Sequence, residues 1–373
     1  MGVNIRPVES DGELRAFIQF PFVLYRDHPC WVPPLIRGEK QVLDPERNPA
    51  SRFCRSTLFL AEKDGRIAGR AAAIINDRFI EKWELKQCRF GWIDFIDDRE
   101  VSAALLNAVE DWAKAHGMET VQGPLGFTNL DKAGMLVEGF EETGTVSTIY
   151  NYSYYPEHLE AAGYVKDIDW LEYRVKAPED GIPGKILRIR DLVLSRNSLR
   201  IIPPRKKFLR RYAPKIFRLL NESFVHIYGS TRLDPEQADM YLNQYIPLVD
   251  MDFTKIVVDP EDDVVAFALA LPSFVKVMQK ARGRLNLPAL IEFLRVLRRP
   301  GHLELLLVAV RPDYQNLGLP AILMAEIQQS GIRRGVVYAD ANPELENNVN
   351  VQTLWKNYDV RQNKRRRSYR KDL

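Results

Sequence analysis

Cysteine is scarce in this 373-residue chain. The three present, Cys30, Cys54 and Cys88, lie far apart and in no C-x-x-C frame, which argues against a disulfide-stapled scaffold and a structural zinc site and suits a reducing, cytoplasmic setting. Histidine is nearly as rare: His28, His116, His158, His226 and His302 show no metal-ligand spacing, and no metal is expected. An excess of one charge is also lacking. The formal net charge of +3, from 53 basic and 50 acidic residues, is too small to point to nucleic acid. No apolar run is long enough to cross a bilayer, and Met1 to Glu9 is too polar for a secretory leader. What remains is a globular composition, 46% apolar and 28% charged, in a chain longer than a single core usually grows, so two domains are expected.

Patterning supplies the elements in order. Asn4 to Val8 reads as a strand, and Asp11 to Tyr25 as an amphipathic helix capped by Ser10 or Asp11. The proline-rich His28 to Leu35 is a packed loop. Thr57 to Ala61 and Ile67 to Ile75 form a hairpin about Asp64-Gly65. Phe90 to Phe95 is a strand, Arg99 to His116 a helix, Val121 to Pro124 a strand, Tyr154 to Gly163 a helix and Trp170 to Val175 a strand. The order then recurs. Strand Arg200 to Pro203, helices Lys206 to Phe224 and Pro235 to Leu248, and the hairpin strands Lys255 to Val258 and Val264 to Leu271 open the second round. A strand near Val336 to Ala339, a helix from Asn350 to Tyr358 and a final strand from Arg365 to Lys371 close it. The expected domains are residues 1–180 and 181–373.

Between these lies the most informative stretch, His302 to Glu326. Leu303 to Val310 is a short run, apolar but for Glu304, stopped by Pro312, as in a buried strand; Gln315, Gly318 and Pro320 then lead into the apolar helical pattern that begins at Ala321. Strand, glycine turn and helix N-terminus form an anion site, because free amides and the positive end of the dipole meet there. Neither the Gly-Lys-Ser/Thr of a Walker loop nor a G-x-G-x-x-G frame is present.

Gln315-x-x-Gly318-x-Pro320 resembles the Q/R-x-x-G-x-G/A pyrophosphate loop of the GNAT acetyltransferase superfamily, although Pro320 stands where Gly or Ala is usual and offers no N–H. The repeated element order is also that of the GNAT fold. Trp31 to Leu35 (W-V-P-P-L) and Gly123 to Phe127 (G-P-x-x-F) are similar to a bacterial group of tandem GNAT-like proteins. The resemblance implies a mixed α/β (α+β) protein of two tandem GNAT-like domains, each a largely antiparallel sheet flanked by helices. It further implies transfer of an acyl group from acetyl-CoA or another acyl-CoA to an amine, with a small-molecule or protein acceptor. In the first half Asp97-Asp98-Arg99-Glu100 replaces the glycine turn, so that half is expected to be a degenerate partner and the second half the cofactor-binding one.

Carried onto this chain, the resemblance assigns the pyrophosphate to Gln315, Asn316, Leu317, Gly318, Leu319, Pro320 and Ala321, and pantetheine and oxyanion to the backbone of Val308 to Val310. Asn348 and Trp355, in N-x-x-x-x-x-L-W-K-N, match the helix that lies against the CoA thiol. Trp355 takes the place of the family's tyrosine, and Tyr358 is the substitute acid. For the base, Glu304 is the first candidate, placed by alternation on one face with Leu306, Val308 and Val310. Glu344 and Glu346 are expected to contact the acceptor. Pro320 and Trp355 keep a second class open, a catalytically silent GNAT-fold protein that binds a lipid or protein partner. The basic, amphipathic insertion Ser273 to Gly301 can dock on the first domain, cover a pocket as a lid, or lie on a membrane surface. The basic run Lys364 to Lys371 is expected as a final edge strand guarded against pairing, with some charges near the CoA phosphates.

Overall fold

The computed structural model of the chain describes residues 2–179, 181–227 and 229–373. In chain order the first elements are β1 (Asn4–Pro7), α1 (Asp11–Leu24), α2 (Ile36–Leu43), β2 (Cys54–Lys63), β3 (Arg66–Asn76), α3 (Asp77–Trp83), β4 (Gln87–Phe95), α4 (Arg99–Ala115), β5 (Thr120–Gly123), β6 (Met135–Glu138), α5 (Tyr154–Ala161) and β7 (Val165–Lys176). There follow α6 (Gly184–Arg196), β8 (Arg200–Ile201), α7 (Lys206–Ser223), α8 (Pro235–Tyr245), β9 (Thr254–Val258), β10 (Val264–Pro272), α9 (Val275–Ala281) and α10 (Leu287–Arg298). The chain ends with β11 (His302–Val310), α11 (Leu319–Arg334), β12 (Tyr338–Ala341), β13 (Glu344–Leu345), α12 (Val349–Leu354) and β14 (Val360–Asp372). Sequence patterning does not anticipate α2, α3, β6, α6 or β13.

Two compact bodies result. The first comprises the chain up to Leu171 together with Val275–Leu290 and Asn363–Leu373; the second comprises Glu172–Phe274 and Ile291–Gln362. Two late segments thus cross the expected division near residue 180. In the first body the strand order is β1-β2-β3-β4-β5-β14, with β4 and β5 parallel and the β1-β2, β2-β3, β3-β4 and β5-β14 pairs antiparallel, and the helix α4 packs Val101, Leu105 and Val109 against Phe90 and Phe95. In the second the order is β7-β12-β11-β10-β9-β8, and Leu319, Ile322, Leu323 and Ile327 of α11 pack on Ala266, Ala268, Leu303 and Val310.

Local chemistry explains the boundaries. Ser10 and Glu13 make a reciprocal capping box at α1. Asp64 and Gly65, with φ of 52° and 73°, give the twist that a two-residue hairpin requires, pairing Lys63 with Arg66. Asp98 caps α4 through the amides of Glu100 and Val101, so this carboxylate occupies the place where the second body has its glycine turn.

The C-terminal strand departs from expectation. β14 is no edge: it lies between β5 and β7, pairs Gln122 with Arg370, and buries Lys364 and Arg366. Its cations are matched instead by carboxylates. The fully buried Asp169 accepts from Arg367 Nε at 2.8 Å and Arg365 Nη1 at 3.1 Å, and Lys371 Nζ bonds both oxygens of Glu110 at 2.9 Å. Removal of charge from water is tolerable here because each cation is paired or bonded to backbone carbonyls.

Candidate active site

The second body contains an interrupted sheet. β11 pairs in parallel with β12 only from His302–Tyr338 to Leu305–Ala341, after which Asn342 donates its amide to Leu305 O at 2.9 Å and its side chain to Leu306 O at 3.4 Å. Beyond that point β11 runs on to Val310 with β10 on its other side, while among the described residues no strand continues β12 beside it. Leu306, Leu307 and Val308 are accordingly half-exposed, although they sit on an interior strand. The opening is a wedge with a bare backbone edge, able to receive an extended ligand as a strand would be received.

A bulge opens the wedge. Leu269 faces Leu307 but Ala270 faces Leu305, which leaves Leu306 unpaired. Because side chains alternate with period two, the extra residue reverses the faces below it. Val308 and Val310 above the bulge, and Leu303 and Leu305 below it, all pack toward α11. Glu304 therefore shares a face with Leu307 and Ala309, and the expectation that it lies with Leu306, Val308 and Val310 does not hold. It is buried, and Ser273 Oγ donates to it at 2.8 Å.

At the end of β11, Pro312–Leu317 forms a short 3-10 turn and Gly318 adopts φ 71°, turning the chain into the 16-residue helix α11. Gln315, Asn316, Gly318 and Ala321 are exposed around the first turn. Leu319 is fully buried and Leu317 packs beside it, so these two contribute backbone to the loop and side chains to the core. Pro320 occupies N1/N2 of the helix, where it removes one donor from the set aimed at the loop.

The lip of the wedge is formed by residues from four elements. Trp355, Ala341, Met324 and Val175 make a small apolar cluster, with Leu305, Tyr173 and Tyr358 packed on it. Trp355 gives its indole N–H to Glu344 Oε1 and Oε2 at 3.1 and 2.9 Å. Burial pushes the Glu344 carboxyl up to about 7, with the indole hydrogen bond pulling the other way. Tyr358 lies against Trp355 with ring centroids 5.9 Å apart, and burial raises its phenol above the usual value. Asn348 is the cap of α12, its side chain accepting from the Val351 amide. Glu346 is half-buried, and its carbonyl accepts from Gln352 Nε2 at 2.8 Å, which fixes the loop that carries Glu344.

Geometry thus brings Glu344, Trp355 and Tyr358 together beside the bulge and sets Glu304 apart. Asn342 and Gln352, which hold the wedge and the Glu344 loop, are absent from the sequence expectations; the Asn342-Pro343 dipeptide was the available sign of a strand end. In the first body the equivalent position is closed by its own chain. Leu125 N donates to Phe90 O at 2.8 Å, and a Cβ on Gly91 would meet Leu125 O at 2.4 Å. The backbone edge of β4 at Phe90 and Gly91 is thus taken by Leu125.

A helix-flanked, mostly antiparallel sheet with a bulged central strand, present twice and splayed into a wedge in the second body, is the tandem form of the GNAT fold. A tandem GNAT protein from the clavulanic acid biosynthesis pathway superposes with a TM-score of 0.55 at 12% identity, over 99% of this chain and 98% of that one. Among curated proteins, the chain is 27% identical over 376 residues to Protein YghO of Escherichia coli strain K12, covering 99% of this chain and 95% of the relative. It is 33% identical over 180 residues to the bacterial ceramide synthase of Caulobacter vibrioides, which is 48% of this chain and 46% of that protein. No family model matches. Among the described residues no helix is long and apolar enough to cross a membrane, and no group of His, Cys, Asp and Glu could hold a metal.

Proposed function

We propose that the protein transfers an acyl group from an acyl-coenzyme A to an amine, using the wedge of the second body. The observation that carries this reading is Glu344: a half-buried carboxyl with a pKa of about 7, held by Trp355 at the wedge's lip, is suited to accept a proton near neutral pH. Gln315 to Ala321 would hold the pyrophosphate, with Gly318 letting the backbone approach. The edge between Leu306 and Val310, whose own carbonyls accept from Asn342 Nδ2 at 3.4 Å and Ser223 Oγ at 3.1 Å, would hold the pantetheine arm and point an amide at the thioester oxygen. When bound, acyl-CoA supplies the activated thioester.

Glu344 takes the proton from the attacking amine, and the Tyr358 hydroxyl returns one to the departing thiolate. Glu304, bonded to Ser273 on the opposite face, steadies the strand. The closed wedge of the first body supports its reading as a non-binding partner. The name of the Caulobacter relative, a bacterial ceramide synthase matched over 46% of its length, supports nitrogen as the acceptor atom.

Calorimetric titration of the full chain with acetyl-CoA, CoA and a long-chain acyl-CoA tests the donor site without requiring the acceptor. Binding that is weakened roughly tenfold or more in Gly318→Val is the expected result. A folded protein that binds none of the three returns the chain to the silent-binding class.

A further inference from the structure

Helix α10 carries apolar residues on both faces. Ala289 and Val296 are buried on the inner one, while Leu287, Leu290, Ile291 and Leu294, at the i, i+3, i+4, i+7 spacing of a single stripe, are each more than half exposed, as is Leu285 just before the helix. A surface helix ordinarily turns polar residues outward. Here the exposed charged residues flanking the stripe are basic, Arg282 and Arg284 ahead of it and Arg295, Arg298 and Arg299 at its end, whereas the one acid of the helix, Glu292, is buried.

The turn before the stripe is fixed. Gly283, at φ 87°, accepts from the Ile36 amide at 2.9 Å, and a Cβ there would lie 2.6 Å from the Phe22 ring. Gln279 Nε2 donates to Pro29 O at 2.8 Å and Trp31 O at 3.2 Å, tying α9 to the tryptophan-proline loop. These ties favour a rigidly presented surface over a swinging lid.

We propose that the outer face of α10 is a seat for an anionic lipid bilayer, with Leu287, Leu290, Ile291 and Leu294 entering the acyl boundary and the flanking arginines meeting phosphate headgroups. The charge selects this occupant. A second copy docked stripe to stripe about a two-fold axis would set arginines against arginines, whereas a bilayer bearing phosphatidylglycerol offers opposite charge along the whole rim. The proposal rests on this surface alone and stands or falls separately from the acyl-transfer reading.

Co-sedimentation of the full chain with vesicles decides it. The chain is expected to pellet with mixed phosphatidylglycerol–phosphatidylcholine vesicles, to stay in solution with phosphatidylcholine alone, and to be released by salt. Leu290→Asp with Leu294→Asp should lower partitioning roughly tenfold or more at an unchanged circular-dichroism spectrum and melting temperature, since these side chains are exposed. Arg295→Gln and Arg298→Gln should each lower it roughly fivefold. Absence of binding to the anionic vesicles, equal binding by the leucine variant, or a dimer in light scattering that the leucine variant splits would each overturn the proposal.

Discussion

Trp355 places its indole N–H between the two oxygens of Glu344, at 3.1 and 2.9 Å, and so stabilises the very anion that burial disfavours. The balance of these opposed effects leaves the acid at about 7.

Glu344→Gln is therefore expected to lower kcat by roughly 10²–10⁴-fold and to abolish the rise in rate through pH 7. Trp355→Phe should shift that rise to higher pH, because the hydrogen bond that favours the anion is gone. Folding stability carries the same signature with its sign fixed. The unfolded chain releases this proton near 4.5 and the folded one near 7, so stability falls as pH rises across that window, by on the order of 2–3 kcal/mol. Urea titrations of wild type and Glu344→Gln at pH 5 and pH 8 measure the difference; equal pH dependence in both would remove Glu344 from the site.

Gly318 sits at φ 71° with open space where a Cβ would project. Gly318→Val is expected to cost about 1–2 kcal/mol of backbone strain without a clash, and to weaken acyl-CoA binding by roughly tenfold or more. Pro320→Ala should act in the opposite direction on binding, since it restores a backbone donor in the first turn of α11. Dissociation constants for CoA from calorimetry, read beside melting temperatures, separate the two effects.

Glu304 and Ser273 form a buried pair at 2.8 Å on the sheet face turned away from α11. Ser273→Ala should destabilise the fold by about 1–3 kcal/mol through the lost partner, with acyl transfer by the folded fraction unchanged. A selective loss of kcat at full stability would restore Glu304 as the base.

Asp169 is pushed up by burial, but hydrogen bonds from Arg367, Arg365 and Lys166 outweigh this and hold its carboxyl below the usual range. A depressed native pKa stabilises the fold above the unfolded value and loses that contribution as pH falls. Asp169→Asn is expected to cost about 2–3 kcal/mol at neutral pH and to blunt the acid limb of the stability curve. Guanidinium midpoints at pH 7 and pH 3 provide the measurement.

Local signals carried most of the fold. Ser10 with Glu13, Asp64-Gly65, and the strand-to-helix passage through Gly318 each specify their geometry within a few residues, and the structure places the corresponding elements where patterning expects them. What escaped was non-local. The bulge at Leu306 exists only relative to the β10 register, so strict alternation assigned Glu304 to the wrong face. The Glu344–Trp355 bond joins residues whose types suggest nothing together, and the raised acidity of Glu344 comes from burial, which a linear chain does not display. The basic run at the C-terminus looked solvated because its partners, Asp169 and Glu110, lie some 200 to 260 residues earlier, at separations of 198 and 261.

That long reach has a consequence for biogenesis. β14 belongs to the first body, where Val121 pairs with Lys371 and Gln122 with Arg370. On the ribosome, the body begun first must wait for β14, holding β5 with its outer edge bare while the second body is made. Loss of the segment from Asn363 onward would thus remove a strand from the first body rather than from the second. Dissecting the gene at its midpoint would yield neither half intact.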